Sequence, residues 1–170
     1  MEFAATHSDI VFAPSPTGAS PEKACVALSE KITTIKERAR ANSRTVKVLV
    51  NPHVICRPTD GEAVAWHDRI FKDRDRVAAR NFYKAFAGGD QSSWRGHTER
   101  DWAIGGNLHL VGSPHSIVDW FLRLHEAGVD GVQLNFFDFE PDLKYFTEAV
   151  LPLMQQSGLR QPVAALPREV

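Results

Sequence analysis

Apolar positions along the chain follow two periods that take turns. A short apolar run at 7–13 (HSDIVFA), ended by PSPTG, and runs at 46–56 (VKVLVNPHVIC) and 129–137 (VDGVQLNFF) predict strands. Between them, apolar residues recur at helical spacing. Ala24, Leu28, Ile32 and Ile35 mark one helix, running to about residue 41, and Ala63, Trp66, Ile70, Val77 and Phe82 a second, to about residue 86. Ile117, Trp120, Phe121 and Leu124 mark a third, ended by Gly128; Leu143, Phe146, Val150, Leu153 and Met154 mark the last. Ser20-Pro21-Glu22, Thr59 with Glu62, and Ser113-Pro114 are helix starts, each offering a side-chain oxygen to the free amides of a first turn. Strands alternating with long helices predict an α/β fold of parallel βαβ units, because each return to parallel register needs a crossover. The reading is one domain over 1–170, with a loose tail at 163–170.

One strand carries polar residues where aliphatic ones are expected. Side chains alternate along a strand, so Val46, Val48 and Val50 share one face while Leu49, Asn51 and His53 share the other. In the third run, Val132, Leu134 and Phe136 fall on one face, and Gln133, Asn135 and Phe137 on the other. Helices packed on one side and a polar hollow on the other would produce this pattern. In parallel α/β folds, ligands gather at the carboxyl ends of strands. Asn51, His53, Asn135 and Phe137 are therefore candidate site residues. The pattern equally allows His53 to be a core histidine bonded to backbone. Pro52 removes a ladder hydrogen bond, so the strand bends or ends there.

Residues 88–106 (GGDQSSWRGHTERDWAIGG) show neither period and have glycine pairs at both ends. A connection of this length reads as a lid-like loop or a solvated insertion, and its tryptophans Trp94 and Trp102 favour the lid. Composition narrows the classes further. Formal net charge is −1, so no basic surface points to nucleic acid or an anionic membrane. No apolar run approaches the roughly 20 residues of a membrane span. Cys25 and Cys56 are too few for a disulfide framework, and a reducing, cytoplasmic setting is the simple reading. The histidines and cysteines lack metal-ligand spacing, so no metal site is expected.

Three stretches together resemble one family. NPHVICRPT, then NLHLVGSPHSIVDWFLRLHEAGVDGVQLNFFDF, then LKYFTEAVLPLMQQSGLR look like the carboxyl-terminal part of bacterial-luciferase-like flavin monooxygenases, in particular the branch that acts on dimethylsulfone. The resemblance implies part of a (β/α)8 barrel, its last three βα units. It implies reduced FMN as cofactor, supplied by a separate NAD(P)H-dependent flavin reductase. It also implies oxygenation of a small organosulfur compound with O2 and cleavage of a carbon–sulfur bond. His53 matches a family histidine and is the catalytic candidate. Asn51 stands where sulfonate-acting relatives carry an arginine, which suits a neutral sulfone better than an anion. Phe137 stands where those relatives have a tyrosine. Asn51, Asn135, Phe137 and Trp94 are the substrate-binding candidates. Arg95 and Arg100 are the candidates for a lid arginine that contacts flavin.

Length is the main departure, since a whole barrel needs eight strands in about 250 residues. Three predicted strands imply a chain that is inactive alone and that self-associates or pairs with an amino-terminal half. The family also holds coenzyme F420-dependent oxidoreductases, which gives one alternative function. A non-catalytic remnant that self-associates is the other.

Overall fold

The computed structural model describes residues 2–87, 97–105 and 107–161. Helix α1 (Glu2–His7) leads into strand β1 (Ile10–Phe12). Helix α2 (Pro21–Ala41) follows, with the Ser20 hydroxyl accepting from the Lys23 amide and Pro21 in the first turn. Strands β2 (Lys47–Val50) and β3 (His53–Cys56) are the two halves of the 46–56 run. Helix α3 (Asp60–Lys72) opens on a capping box between Thr59 and Glu62. Helices α4 (Arg76–Ala87) and α5 (Glu99–Ile104) come next, then strand β4 (His109–Gly112). Helix α6 (Pro114–Glu126) is capped by Ser113, and strand β5 (Gly131–Val132) follows. Helix α7 (Phe139–Tyr145), a π turn over Phe146–Val150 and helix α8 (Leu151–Gln156) close the described chain. The π turn has a cause. Pro152 has no N–H for the carbonyl four residues back, and a widened turn absorbs the missing bond.

All strand pairs are parallel: β1–β2–β5 in one sheet and β3–β4 in another. The two sheets share one continuous central strand. Its even-numbered residues bond toward the β5 side throughout: Val48 and Val50 accept from Asp130 and Gln133, Pro52 accepts from Asn135, and Val54 donates to Asn135. Its odd-numbered residues bond to the opposite side. There Lys47 donates to Asp9 and Leu49 accepts from Ala13, but His53 donates to Leu108. So β1 and β4 occupy the same edge in succession, and the exchange falls at Asn51–Pro52. The strand does not end at Pro52; it changes partner and resumes.

The even face of the central strand carries the main core. Val46, Val48, Val50 and Val54 share one buried cluster with Leu28, Ile32 and Ile35 of α2 and with Ile117, Phe121 and Leu124 of α6. On the odd face, Ile55 packs with Ile70 and Ile104 in a smaller cluster.

Three expectations are revised. Strand β4 is an element beyond the three predicted strands. The 59–86 helix is two helices, because the Asp75 carboxylate accepts from the Val77 and Ala78 amides and starts a new one. The helical spacing of Val77 and Phe82 does not bury them: Val77 is 69% exposed and Phe82 is exposed too. Within 88–106, residues 99–104 are helical rather than structureless: Thr98 and Asp101 cap each other, with the Thr98 amide donating to Asp101 Oδ2 at 2.7 Å.

Candidate active site

The partner exchange at Asn51–Pro52 brings the polar residues of the odd face together. Asn135 bridges to His53 across the ladder, and its Nδ2 donates to the Asn51 carbonyl at 3.4 Å. The Phe137 ring lies 6.5 Å from the His53 ring. Asn51, His53, Asn135 and Phe137 thus form one neighbourhood, with their side chains in different settings. His53 is 8% exposed, and its buried Nε2 has no hydrogen-bond partner among the described residues. Asn51 lines a small cavity of about 170 Å³ with Phe12, Ser15 and Asn107. Phe137 is half exposed and lines a larger cavity of about 810 Å³, walled by Trp66, Phe82, Trp102 and Gly105. Trp94 and Arg95 lie outside the described residues.

Arg100 sits on α5 and turns toward α3. It pairs with Asp68, and its Nη2 lies 2.9 Å from His67 Nδ1. His67 Nε2 in turn lies 3.2 Å from His109 Nδ1. His109 is 5% exposed, its ring is edge-on to His53 with centroids 6.2 Å apart, and its Nε2 has no hydrogen-bond partner among the described residues. Neither His67 nor His109 is evident from the sequence. The alternation in Leu108-His109-Leu110-Val111 is the signal that would have found His109, since it puts His109 on the same face as Val111 and opposite the core.

Burial dominates the electrostatics. It pushes the His53 imidazole below its ordinary pKa, with the Asp142 carboxylate opposing. It pushes His67 down as well, helped by the Arg100 charge. His109 falls to about 3, through burial and then the neighbouring His67 and His53. All three rings are therefore neutral near pH 7. The Cys56 thiol is pushed up to about 12 by burial, which makes it no nucleophile. Asp142 is buried and pairs with Arg57 at 2.9 Å, while Arg57 also lies over the Trp66 ring at 4.8 Å. Among the described residues, no group of three or more histidine, cysteine or acidic side chains is placed to hold a metal ion. No helix among them is long and apolar enough to cross a membrane.

Known proteins resemble the chain in sequence and in fold. Residues 1–131 match a family model described as luciferase-like monooxygenase. Over 140 residues the chain is 31% identical to the FMNH2-dependent dimethylsulfone monooxygenase of Pseudomonas fluorescens (strain Pf0-1), covering 76% of this chain and 38% of that protein. It is 29% identical to the protein of the same name from Pseudomonas putida, with the same coverage. The chain therefore spans well under half the length of these curated relatives. Among solved structures, riboflavin lyase (RcaE) has a TM-score of 0.74 at 22% identity, covering 99% of this chain and 42% of its own. Long-chain alkane monooxygenase (LadA) has 0.72 at 24%, covering 96% and 40%. DmoA from Hyphomicrobium sulfonivorans has 0.67 at 20%, covering 98% and 41%. These likenesses are of fold, and they make the chain's α/β arrangement a portion of a (β/α)8 barrel.

Proposed function

The chain belongs to the luciferase-like monooxygenase family, and on that premise we propose that it forms one side of the active site of an FMNH2-dependent monooxygenase. Its substrate is a small organosulfur compound of the dimethylsulfone kind, whose carbon–sulfur bond is cleaved after oxygenation. A separate NAD(P)H-dependent flavin reductase supplies the reduced cofactor. The observation that carries this reading is the buried Nε2 of His53 at the resumption of the central strand, without a hydrogen-bond partner among the described residues, with the aromatic ring of Phe137 beside it.

The residues present fit the ring end of a flavin. The larger cavity has aromatic walls in Trp66, Phe82, Trp102 and Phe137 and is within the range that accommodates a drug-sized molecule. Reduced FMN, when bound, supplies the electrons that activate O2. The chain's own groups do the rest. The aromatic walls give a flavin ring apolar surface to lie against. Neutral His53 holds or takes a proton at Nε2, which has no hydrogen-bond partner among the described residues. Asn51 offers a neutral amide, suited to a sulfone oxygen rather than to a sulfonate anion.

The remaining walls come from further barrel strands, in the same polypeptide or a second one. Ile10 and Phe12 of β1 are each about half exposed (53% and 52%), and β1 has no described neighbour beyond it. Self-association, or pairing with an amino-terminal half, would cover them. The test measures dimethylsulfone consumption and FMNH2 affinity in the assembled barrel. His53→Ala should lower turnover by about 100-fold or more, the usual scale for a lost proton-transfer group, and leave affinity within about threefold. Equal loss of both would make His53 a binding residue.

A further inference from the structure

We propose that His67 and His109, oriented by Arg100, are positioning residues: a single-tautomer pair that seats α5 over His53. The direction of every bond in this chain is fixed at one end. A guanidinium can only donate, so the Arg100 Nη2 contact at 2.9 Å requires a lone pair on His67 Nδ1. Neutral His67 then carries its proton on Nε2. That N–H faces His109 Nδ1 at 3.2 Å, so His109 Nδ1 must also be a lone pair. Neutral His109 in turn carries its proton on Nε2, a buried atom of the ring that lies edge-on to His53. Neither ring can gain a proton without losing a bond. A proton on His67 Nδ1 would face the guanidinium, and one on His109 Nδ1 would face the His67 N–H.

The charged surroundings agree with a neutral pair. Arg100, His53 and His97 face His109, and each disfavours a second positive charge there. Asp68 and Asp101 stand near His67 and pull the other way, but Asp68 is already paired with Arg100. Asp142 acts on His53 from α7.

What the pair holds in place is visible at the end of α5. The helix stops at Gly105, where a Cβ would lie 3.1 Å from His53 Nδ1. Glu99 adds a bond to Arg74 at 2.9 Å, and Trp102 packs edge-on against Phe82 and Tyr83, both at 5.8 Å. Arg100 is the only one of these α5 anchors that ends on the His67–His109 pair. One nitrogen of Arg100 makes both contacts, to Asp68 and to His67, so a lysine ammonium can replace it.

The catalytic consequence rests on the reading of His53 given above; the tautomers do not, so the two can fail separately. The experiment is long-range 1H–15N correlation of the histidine rings in the 15N-labelled chain, with hydrogen exchange at residues 99–105. In the wild type, His67 and His109 should each show one tautomer at pH 7.5, with the proton on Nε2. Arg100→Met should give mixed tautomers at His67 and at least tenfold faster exchange over 99–105, whereas Arg100→Lys should retain both wild-type features. A proton on Nδ1 of wild-type His67 overturns the proposal without any variant. So does an Arg100→Met chain that matches the wild type, or an Arg100→Lys chain that behaves like Arg100→Met.

Discussion

Replacing Gly105 by alanine tests the close approach to His53 directly. Gly105 ends α5 with φ 125° and ψ −2°, well outside the small left-handed region that other residues tolerate. Forcing an L side chain there costs about 1–3 kcal/mol in backbone strain. The added Cβ would also sit 3.1 Å from His53 Nδ1, inside ordinary contact distance. His53 has little freedom to yield. Its amide donates to Leu108 at 2.7 Å, and the next amide, that of Val54, donates to Asn135 at 2.8 Å on the other side. The Phe137 and His109 rings flank it. The two effects together should destabilise by roughly 2–4 kcal/mol. Gly61→Ala is the matched control. Gly61 lies in the first turn of α3, with nothing within 4 Å of an added Cβ and no positive φ. There alanine should stabilise by up to about 1 kcal/mol, through a less flexible unfolded chain. Urea unfolding followed by circular dichroism reads both. Gly105→Ala within about 0.5 kcal/mol of wild type, or both variants moving in one direction, would refute the close-packed geometry at His53.

Two further outcomes follow from the charges. His53, His67 and His109 all have folded-state values below the ordinary one, so the unfolded chain binds more protons below about pH 6.5. Their contribution to stability is complete above that pH and declines as pH falls toward about 3, the value for His109. Between pH 6.5 and 4.5, His109 alone should account for roughly 2–3 kcal/mol, measured as the difference in pH slope between wild type and His109→Gln; identical slopes would contradict the buried neutral ring. Asp142→Asn should cost about 2 kcal/mol in urea unfolding, because it strips the partner from the mostly buried Arg57. It should also lower the His53 pKa further in an NMR titration, since the Asp142 charge opposes the effect of burial there; an upward shift would rule out that electrostatic coupling.

Local pattern carried the even and odd faces of residues 46–53, because period two is a property of the strand itself. Val46, Val48 and Val50 are buried, and His53 meets Asn135 and Phe137 as the alternation implies. The same local pattern overreached at α4. Val77 and Phe82 do line up at helical spacing, but spacing states which residues share a side and not whether anything covers it. The break between α3 and α4 was legible in principle, since Asp75 is an ordinary helix-starting residue; continued apolar spacing hid it. Family resemblance was legible in whole stretches such as NLHLVGSP, and identity over 140 residues agrees with it.

The His67–His109 pair was not legible, and the reason is topological. The two residues are 42 positions apart and meet only because β4 lies beside β3 in a register that sets His53 opposite His109. That register exists because β1 stops at Phe12 and leaves the edge of the central strand free from Asn51 onward. Pro52 is consistent with this exchange. It has no N–H, so the ladder can lapse at Asn51–Pro52 without leaving a donor unpaired there, and its carbonyl still holds Asn135 at 3.0 Å on the other side. The proline that reads as a strand end thus marks where one neighbour gives way to another, and the new neighbour is the one that brings a second buried imidazole to His53.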